Sequence, residues 1–119
     1  MRKICIINQK GGVGKTTTAI NIAAGLSRHD KKVLIVDFDA QGNIATSLNL
    51  KGEKDIYNVM TENADIDQCK KYLGQNLDVI SSRETLTKTE VLLAKIPNKE
   101  YVLRKKLRSL KGYDYVLID

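Results

Sequence analysis

Residues 9–17, Gln9-Lys10-Gly11-Gly12-Val13-Gly14-Lys15-Thr16-Thr17, are the stretch of sequence that decides the fold. They come directly after an apolar segment, residues 4–7, whose β-branched side chains predict a short buried strand. After Thr17 the apolar residues recur at helical spacing, which predicts a helix over about residues 15–29. A strand, a glycine-rich turn and a Lys-Thr pair that opens a helix form the layout of a phosphate-binding loop.

Each residue type in this loop has its own task in binding phosphate. The glycines allow backbone conformations in which N–H groups converge on one anion, and the helix N-terminus adds a partial positive charge. Lys15 would neutralise the β- and γ-phosphates, and the Thr16 hydroxyl would bind Mg²⁺. The alternative is a glycine-rich turn that binds nothing, but the motif stands in its full structural context. We expect seven consecutive residues to bind the nucleotide: Gly11, Gly12, Val13, Gly14, Lys15, Thr16 and Thr17.

The start of the loop departs from the usual P-loop pattern, because Gln9 stands where glycine is expected and Lys10 follows it. The pattern Lys-Gly-Gly-x-Gly-Lys-[Thr/Ser] resembles the deviant Walker A motif of the ParA/Soj/MinD family of partition and positioning ATPases. The resemblance extends from Arg2 to Asp119. It implies ATP and Mg²⁺ as cofactors, hydrolysis of ATP to ADP and phosphate, and a homodimer that forms through the nucleotide face.

The resemblance also implies a catalytic role for Lys10. In the family this lysine reaches across the dimer interface to the partner's nucleotide, so that assembly is coupled to hydrolysis much as by an arginine finger. The alternative is a solvent-facing lysine at the tip of a loop. The catalytic set that we expect is Lys10, Lys15 and Asp39.

A second informative stretch, Asp37-Phe38-Asp39-Ala40-Gln41-Gly42-Asn43, follows a buried strand at residues 33–37. It resembles the family's Asp-x-Asp-Pro-Gln-Gly-Asn motif, with Ala40 in place of proline. By that resemblance Asp39 orients the attacking water and contacts the metal shell. Asp37 either helps to hold the metal's waters or ends the strand. The alternative for both acids is an ordinary turn with an acid that caps the next helix.

The segment at residues 115–119 is an apolar run that ends in Asp119. It resembles a Walker B strand, whose acid supports Mg²⁺ through a water molecule. The metal ligands that we expect are therefore Thr16, Asp39 and Asp119.

Strand and helix patterns alternate along the chain, which predicts an α/β fold with a mainly parallel sheet and helices on both faces. The resemblance makes this sheet a P-loop NTPase domain, of which the chain covers the N-terminal part. We predict strands at residues 3–8, 33–37, 77–81 and 115–119. We predict helices at residues 15–29, 44–48, 56–60, 66–73, 84–95 and 100–111, with Gly112 ending the last one.

We expect residues 1–119 to form one partial P-loop ATPase domain that ends at the Walker B strand. Members of the family continue beyond this point. The strand at residues 115–119 would then be an open apolar edge, which we expect to pair with a second copy or to aggregate. We also expect weak nucleotide binding and slow or absent turnover, because base contacts are largely missing.

Composition restricts the setting in which the protein works. The chain has no apolar run long enough to span a membrane and starts with Met-Arg-Lys instead of a signal peptide, so we expect a cytoplasmic protein. Its net charge of +6 permits contact with nucleic acid. In the helix at residues 100–111 the leucines should face the core and the basic residues should face outward, where solvent contact or non-specific DNA binding are the two alternatives.

The function that we favour is an ATPase for chromosome or plasmid partition, in which ATP drives dimerisation. DNA and a ParB-like protein would be its partners in a longer protein. One alternative is a truncated, non-catalytic nucleotide-binding or interaction module. Others are a MinD-like positioning ATPase and a metabolic relative such as an iron protein or an arsenite-pump ATPase, although Cys5 and Cys69 do not fit a cluster site.

Overall fold

The computed structural model describes residues 2–5, 15–38, 55–61, 65–82, 94 and 101–119. These residues form five short strands and four helices. In chain order they are β1 (Arg2–Cys5), α1 (Lys15–Arg28), β2 (Val33–Val36), α2 (Ile56–Thr61), α3 (Ile66–Cys69), β3 (Lys71–Gly74), β4 (Leu77–Ile80), α4 (Val102–Arg108) and β5 (Tyr115–Ile118). The predicted helices at residues 44–48 and 84–95 lie outside the described residues, apart from residue 94, which is in a turn.

The five strands form one sheet in the order β1-β5-β2-β4-β3. Every neighbouring pair is parallel except β3 and β4, which are antiparallel. The predicted mainly parallel α/β sheet is confirmed. Because β1 and β2 both pair with β5, the two segments that carry the expected motifs lie on either side of β5.

The sheet is covered by helices on both faces, and this explains the continuous apolar runs of its strands. Leu34 and Val36 pack with α2, α3 and α4 on one face, together with Leu107. Val33 and Ile35 pack with α1 on the other face. Side chains alternate between the two faces of a strand, so a fully apolar strand such as β2 serves both cores.

Strand β5 is not an open edge, so the prediction that it would pair with a second copy is wrong in its premise. Its residues pair with β1 on one side and with β2 on the other, in register from Tyr115 to Ile118. The reason is the crossover topology: the chain after α4 inserts its strand between two strands that formed earlier in the sequence. The prediction had assumed that one side of this strand is covered only by strands from the part of the domain that follows Asp119.

The predicted helix at residues 66–73 is correct only for its first part. A helix covers Ile66–Cys69, and the chain then turns into β3, which pairs with β4. The two strands are joined by the two-residue turn Gln75-Asn76, in which Asn76 has a φ of 64°. Asparagine tolerates this left-handed conformation, which is typical of tight hairpins.

The last predicted helix is shorter than expected and runs over Val102–Arg108. Gly112 does adopt a positive φ of 90°, but it belongs to the turn before β5 and not to the end of the helix. The prediction for the leucines is confirmed, since Leu107 is in the core and Leu103 and Leu110 pack against it. Among the described residues, no helix is long and apolar enough to cross a membrane.

Candidate nucleotide-binding site

The carboxyl ends of β1, β5 and β2 meet at one edge of the sheet, which we call the carboxyl edge. Backbone pairing continues one residue beyond the strands: the Asp119 N–H donates to the Val36 carbonyl at 2.9 Å, and the Phe38 N–H donates to the Asp119 carbonyl at 2.8 Å. The Asp37 N–H donates to the Ile80 carbonyl at 2.9 Å. Asp37 is thus held between the ends of β4 and β5. Open α/β sheets bind ligands at this kind of edge.

Two acidic residues are adjacent and buried at the carboxyl edge. Val36 and Ile118 are direct partners in the sheet, so the next residues along each strand, Asp37 and Asp119, lie side by side. Their relative exposures are 0% and 5%. Buried carboxylates usually serve a partner or a ligand, because an ionised group is costly to remove from water.

The alternation of side chains assigns both acids to the face of the sheet that α1 covers. Ile35 and Leu117, two residues earlier in each strand, belong to the core beneath α1. Helix α1 begins at Lys15, after the chain has left the carboxyl end of β1. The start of the helix, where backbone N–H groups are free to bind an anion, is therefore on the same side of the sheet as the two carboxyl groups.

The predicted site residues fall into three groups in the structure. Lys15 and Thr16 form the first turn of α1, although only their backbone is described, and Thr17 is exposed in the same turn. Asp119, and Asp37, whose role the sequence left open, lie side by side at the carboxyl edge. The remaining positions, Lys10, Gly11, Gly12, Val13, Gly14 and Asp39, lie outside the described residues.

Sequence reasoning missed two serines at the same edge. Ser81 and Ser82 follow β4 and have exposures of 3% and 0%. The Ser81 hydroxyl accepts a hydrogen bond from Lys71 Nζ at 2.6 Å, and its carbonyl accepts one from the Ile56 N–H at 2.9 Å. Ser81 thereby ties the hairpin and α2 to the site. The signal that could have identified the two serines is a pair of polar residues directly after an apolar strand.

Asp55, just before α2, is a third buried acid near this edge, with an exposure of 1%. Its Oδ1 accepts a hydrogen bond from the Tyr57 N–H at 2.9 Å, and its own N–H donates to Asn58 Oδ1 at 2.8 Å. This reciprocal pattern is that of a helix cap. We therefore assign Asp55 a structural role in starting α2.

The donor set at the carboxyl edge fits a magnesium ion that is partly held by other groups. Carboxylate oxygens suit Mg²⁺, which is usually bound through one or two protein carboxylates together with water and substrate phosphates. Within the part of the chain that the structure describes, no three His, Cys, Asp or Glu residues form a closed metal cage. Two neighbouring aspartates beside a phosphate-binding helix are consistent with an ion that depends on a bound nucleotide.

Comparison with known proteins supports the same assignment. The family model described as an AAA domain matches residues 1–119. The chromosome-partitioning ATPase Soj of Thermus thermophilus is 41% identical over 119 residues, which cover 100% of this chain and 45% of that protein. The chain therefore spans about half the length of the curated relatives that it matches.

Solved structures of similar fold include proteins with bound nucleotide. Cobyrinic acid a,c-diamide synthase from Mycobacterium smegmatis, with a bound ATP analogue and magnesium, has a TM-score of 0.92 and is 31% identical, over 100% of this chain and 50% of that one. A plasmid partition protein from Borrelia burgdorferi, described as putative and bound to AMPPNP, has a TM-score of 0.87 and is 37% identical, over 99% of this chain and 52% of that one.

Proposed function

The chain belongs to the ParA/Soj/MinD family of P-loop ATPases, and we propose that it forms the ATP-binding and ATP-hydrolysing part of a chromosome or plasmid partition protein. One observation carries the proposal: the crossover that inserts β5 between β1 and β2 assembles Asp37, Asp119 and the start of α1 at one edge. A phosphate loop and two buried acids on one side of a parallel sheet are what magnesium-dependent phosphoryl chemistry requires.

In this proposal the loop residues Gly11, Gly12, Val13, Gly14, Lys15, Thr16 and Thr17 hold the polyphosphate of ATP. Thr16, Asp39 and, through water, Asp119 would hold Mg²⁺, which would supply charge neutralisation at the phosphates when bound. Asp39 orients the attacking water. Asp37, beside Asp119, accepts hydrogen bonds from the waters of the metal.

Lys10 acts on the nucleotide of a second copy, so the active state is a homodimer formed through the nucleotide face. Non-specific DNA and a ParB-like protein are the partners of the whole protein, and the setting is the cytoplasm. The described surface offers a place for DNA phosphates on α4, where Arg104, Lys105 and Arg108 are exposed opposite the packed leucines.

The test is magnesium-dependent release of phosphate from ATP by the chain, with Lys15→Ala and Asp39→Ala as variants. We expect both variants to lose release, because one removes charge neutralisation and the other removes the group that orients water. Lys31→Ala, an exposed lysine at the far end of α1, is the matched control and should keep full activity. If the unaltered chain and the Lys31→Ala control bind ATP but release no phosphate, the chain is a non-catalytic nucleotide-binding module.

An ATP-dependent synthase is a second candidate, favoured by the TM-score of 0.92 to the cobyrinic acid a,c-diamide synthase. Identity to that protein is 31%, however, against 41% to the partition ATPase Soj. We therefore place partition first. Phosphate release that required an added carboxylic acid substrate would reverse this order.

A further inference from the structure

A second polar groove lies at the opposite edge of the sheet, which we call the amino edge. Its volume is about 360 Å³, within the usual range for small-ligand pockets of roughly 300–1,000 Å³. It is lined by Lys32, which directly precedes β2, by the hairpin of β3 and β4, and by the turn that precedes β5. A four-residue strand, about 13 Å long at 3.3 Å per residue, separates it from the carboxyl edge.

The charge of this groove is mainly positive. Lys32, Lys70 and Lys111 line it, and the single carboxylate in the lining is Asp78. One oxygen of Asp78 accepts a hydrogen bond from the Tyr113 hydroxyl at 2.5 Å. Burial, and next this bond to Asp78, raise the pKa of Tyr113 to about 12, so the phenol is neutral at physiological pH and adds no negative charge.

The three ammonium groups differ in how far they are already engaged. Lys70 Nζ is 2.7 Å from Asp67 Oδ1 and 5.7 Å from the centre of the Tyr113 ring. Lys32 and Lys111 are exposed, and among the described residues neither ammonium has a carboxylate within ion-pair distance. Two lysines at one groove are thus available to an incoming anion.

The backbone around the groove is held by hydrogen bonds between distant segments. The Lys32 N–H donates to Asp114 Oδ2 at 2.9 Å, and the Asp114 N–H donates back to the Lys32 carbonyl at 2.7 Å. The Val33 N–H donates to the Asn76 carbonyl at 2.8 Å. These bonds fix the positions of the three segments before any ligand arrives, which lowers the entropy that binding must overcome.

The groove also has a flat apolar surface. The side chain of Tyr72 is 76% exposed, which is unusual for a tyrosine in a sheet, and it lines the groove beside Asn76. An exposed aromatic ring beside lysines and an amide is the combination that stacks a nucleobase while cations bind its phosphate. Lysine binds a phosphate group as a mobile point charge.

We propose that the amino-edge groove is a second ligand site, which binds a nucleoside monophosphate with its phosphate between Lys32 and Lys111 and its base on Tyr72. This site is separate from the phosphate-binding loop and does not depend on the proposed ATPase function. It gives the chain two nucleotide sites at opposite edges of one sheet.

The test is a titration of the 119-residue chain with AMP in the absence of magnesium, monitored by ¹H–¹⁵N NMR. A site-resolved signal is needed because AMP at the loop would shift residues near Lys15 instead. We expect saturable shifts at the amides of Asn76, Gly112 and Tyr113. Adenosine, which lacks the phosphate, should shift them at least tenfold less at equal concentration.

Two double variants distinguish the groove from general surface charge. Lys32→Ala with Lys111→Ala should weaken AMP binding at the groove at least tenfold. Lys31→Ala with Lys3→Ala removes the same charge from exposed lysines outside the lining and should leave the affinity within twofold. Equal weakening by both pairs, or no shift at the three amides with the unaltered chain, would overturn the proposal.

A third variant tests the stacked base. Tyr72→Ala should reduce the affinity for AMP to that for inorganic phosphate, while the unaltered chain should bind AMP at least fivefold more tightly than phosphate. Equal affinities of the unaltered chain for AMP and phosphate would overturn the role of Tyr72 and with it the assignment to a nucleoside phosphate.

Discussion

The two edges of the sheet carry opposite charge in opposite surroundings. At the carboxyl edge Asp37 and Asp119 are almost fully buried, whereas at the amino edge Lys32 and Lys111 are exposed. Acids buried beside a helix N-terminus suit an ion held in a closed site, and exposed lysines suit an anion that enters from solvent. Strands β2 and β5 run from one edge to the other. A substitution at one edge can therefore serve as the control for a substitution at the other edge.

The edges also differ in how far their residues can be identified from the sequence. The carboxyl edge takes its main residues from two motifs that immediately follow apolar strands. These residues can be identified from their position at the end of each apolar run. The amino edge takes its lining residues from Lys32 and from segments at residues 70–78 and 111–113, which share no motif. Its groove forms because the parallel strands β2, β4 and β5 all begin at the same edge of the sheet.

The largest expected effect comes from a change that removes the support of both edges. Leu117 is fully buried in β5, and Leu117→Ala should lower the free energy of unfolding by about 2–5 kcal/mol. Urea denaturation measures this loss. Ile22→Ala on α1, at a side chain that is 37% exposed, is the control and should change stability by less than about 1 kcal/mol. Equal losses in the two variants would show that β5 is not an interior strand of the sheet.

Two aspartates that flank β5, one at each end, allow the two edges to be tested independently. Asp119→Asn should weaken binding of magnesium-ATP by about tenfold, the lower end of the range for bonds to a charged group. Asp114→Asn changes the acid that accepts the Lys32 N–H at the other end of the strand and should leave magnesium-ATP binding unchanged. Isothermal titration calorimetry of both variants measures their affinity for magnesium-ATP. A loss caused by Asp114→Asn would mean that the edges are coupled.

The hydrogen bond between Tyr113 and Asp78 should show itself as a dependence of stability on pH. The pKa of Tyr113 is raised from 10.0 to about 12 in the folded chain, first by burial and then by Asp78. The phenol is therefore more readily ionised when unfolded, so its contribution is complete below pH 10 and is lost as the pH rises through about 12.

Tyr113→Phe removes this contribution, and at pH 7 it should lower the free energy of unfolding by about 1 kcal/mol. The stability difference between the two proteins should then shrink between pH 10 and 12, as measured by urea denaturation at each pH. A difference that stays constant over this range would show that the phenol has the same pKa in both states.

The last prediction concerns the turn that shapes the amino edge. Asn76 has a φ of 64°, so Asn76→Ala should destabilise the chain by about 1–2 kcal/mol at most. Asn76→Gly keeps the conformation accessible and should change stability by only a few tenths of a kcal/mol. Urea denaturation compares the two variants. If alanine is tolerated as well as glycine, the turn is not what holds β3 beside β4.

Much of the fold was predictable from the sequence because its signals are local. The apolar runs at β2, β4 and β5 and the amphipathic pattern of α1 predicted these elements within a residue or two. The strand β3 was missed because the apolar residues from Ile66 to Leu73 form a weak helical pattern, which was extended across Lys71–Gly74. Its strand conformation comes from pairing with β4 across a two-residue turn, a contact that helical spacing in a window of residues does not contain.

Less can be said of the candidate site, because Lys10, residues 11–14 and Asp39 lie outside the described residues. Asp119 was assigned to the metal because it ends an apolar strand that resembles a Walker B strand, and the structure places it beside Asp37, whose role the sequence left open. Ser81 and Ser82 end a strand in the same way but belong to no motif, and they were overlooked. Their burial depends on α2 and Lys71, which reach them only in the folded chain.

The sequence by itself determined the chemistry of the loop, the class of fold and the acids at the ends of the strands, because backbone freedom, side-chain periodicity and charge are properties of nearby residues. Only the tertiary structure decided that β5 lies between β1 and β2, that β3 forms the far border of the sheet, and that a basic groove opens at the amino edge. Strand order and register are set by burying two faces at once, and no single segment carries that information.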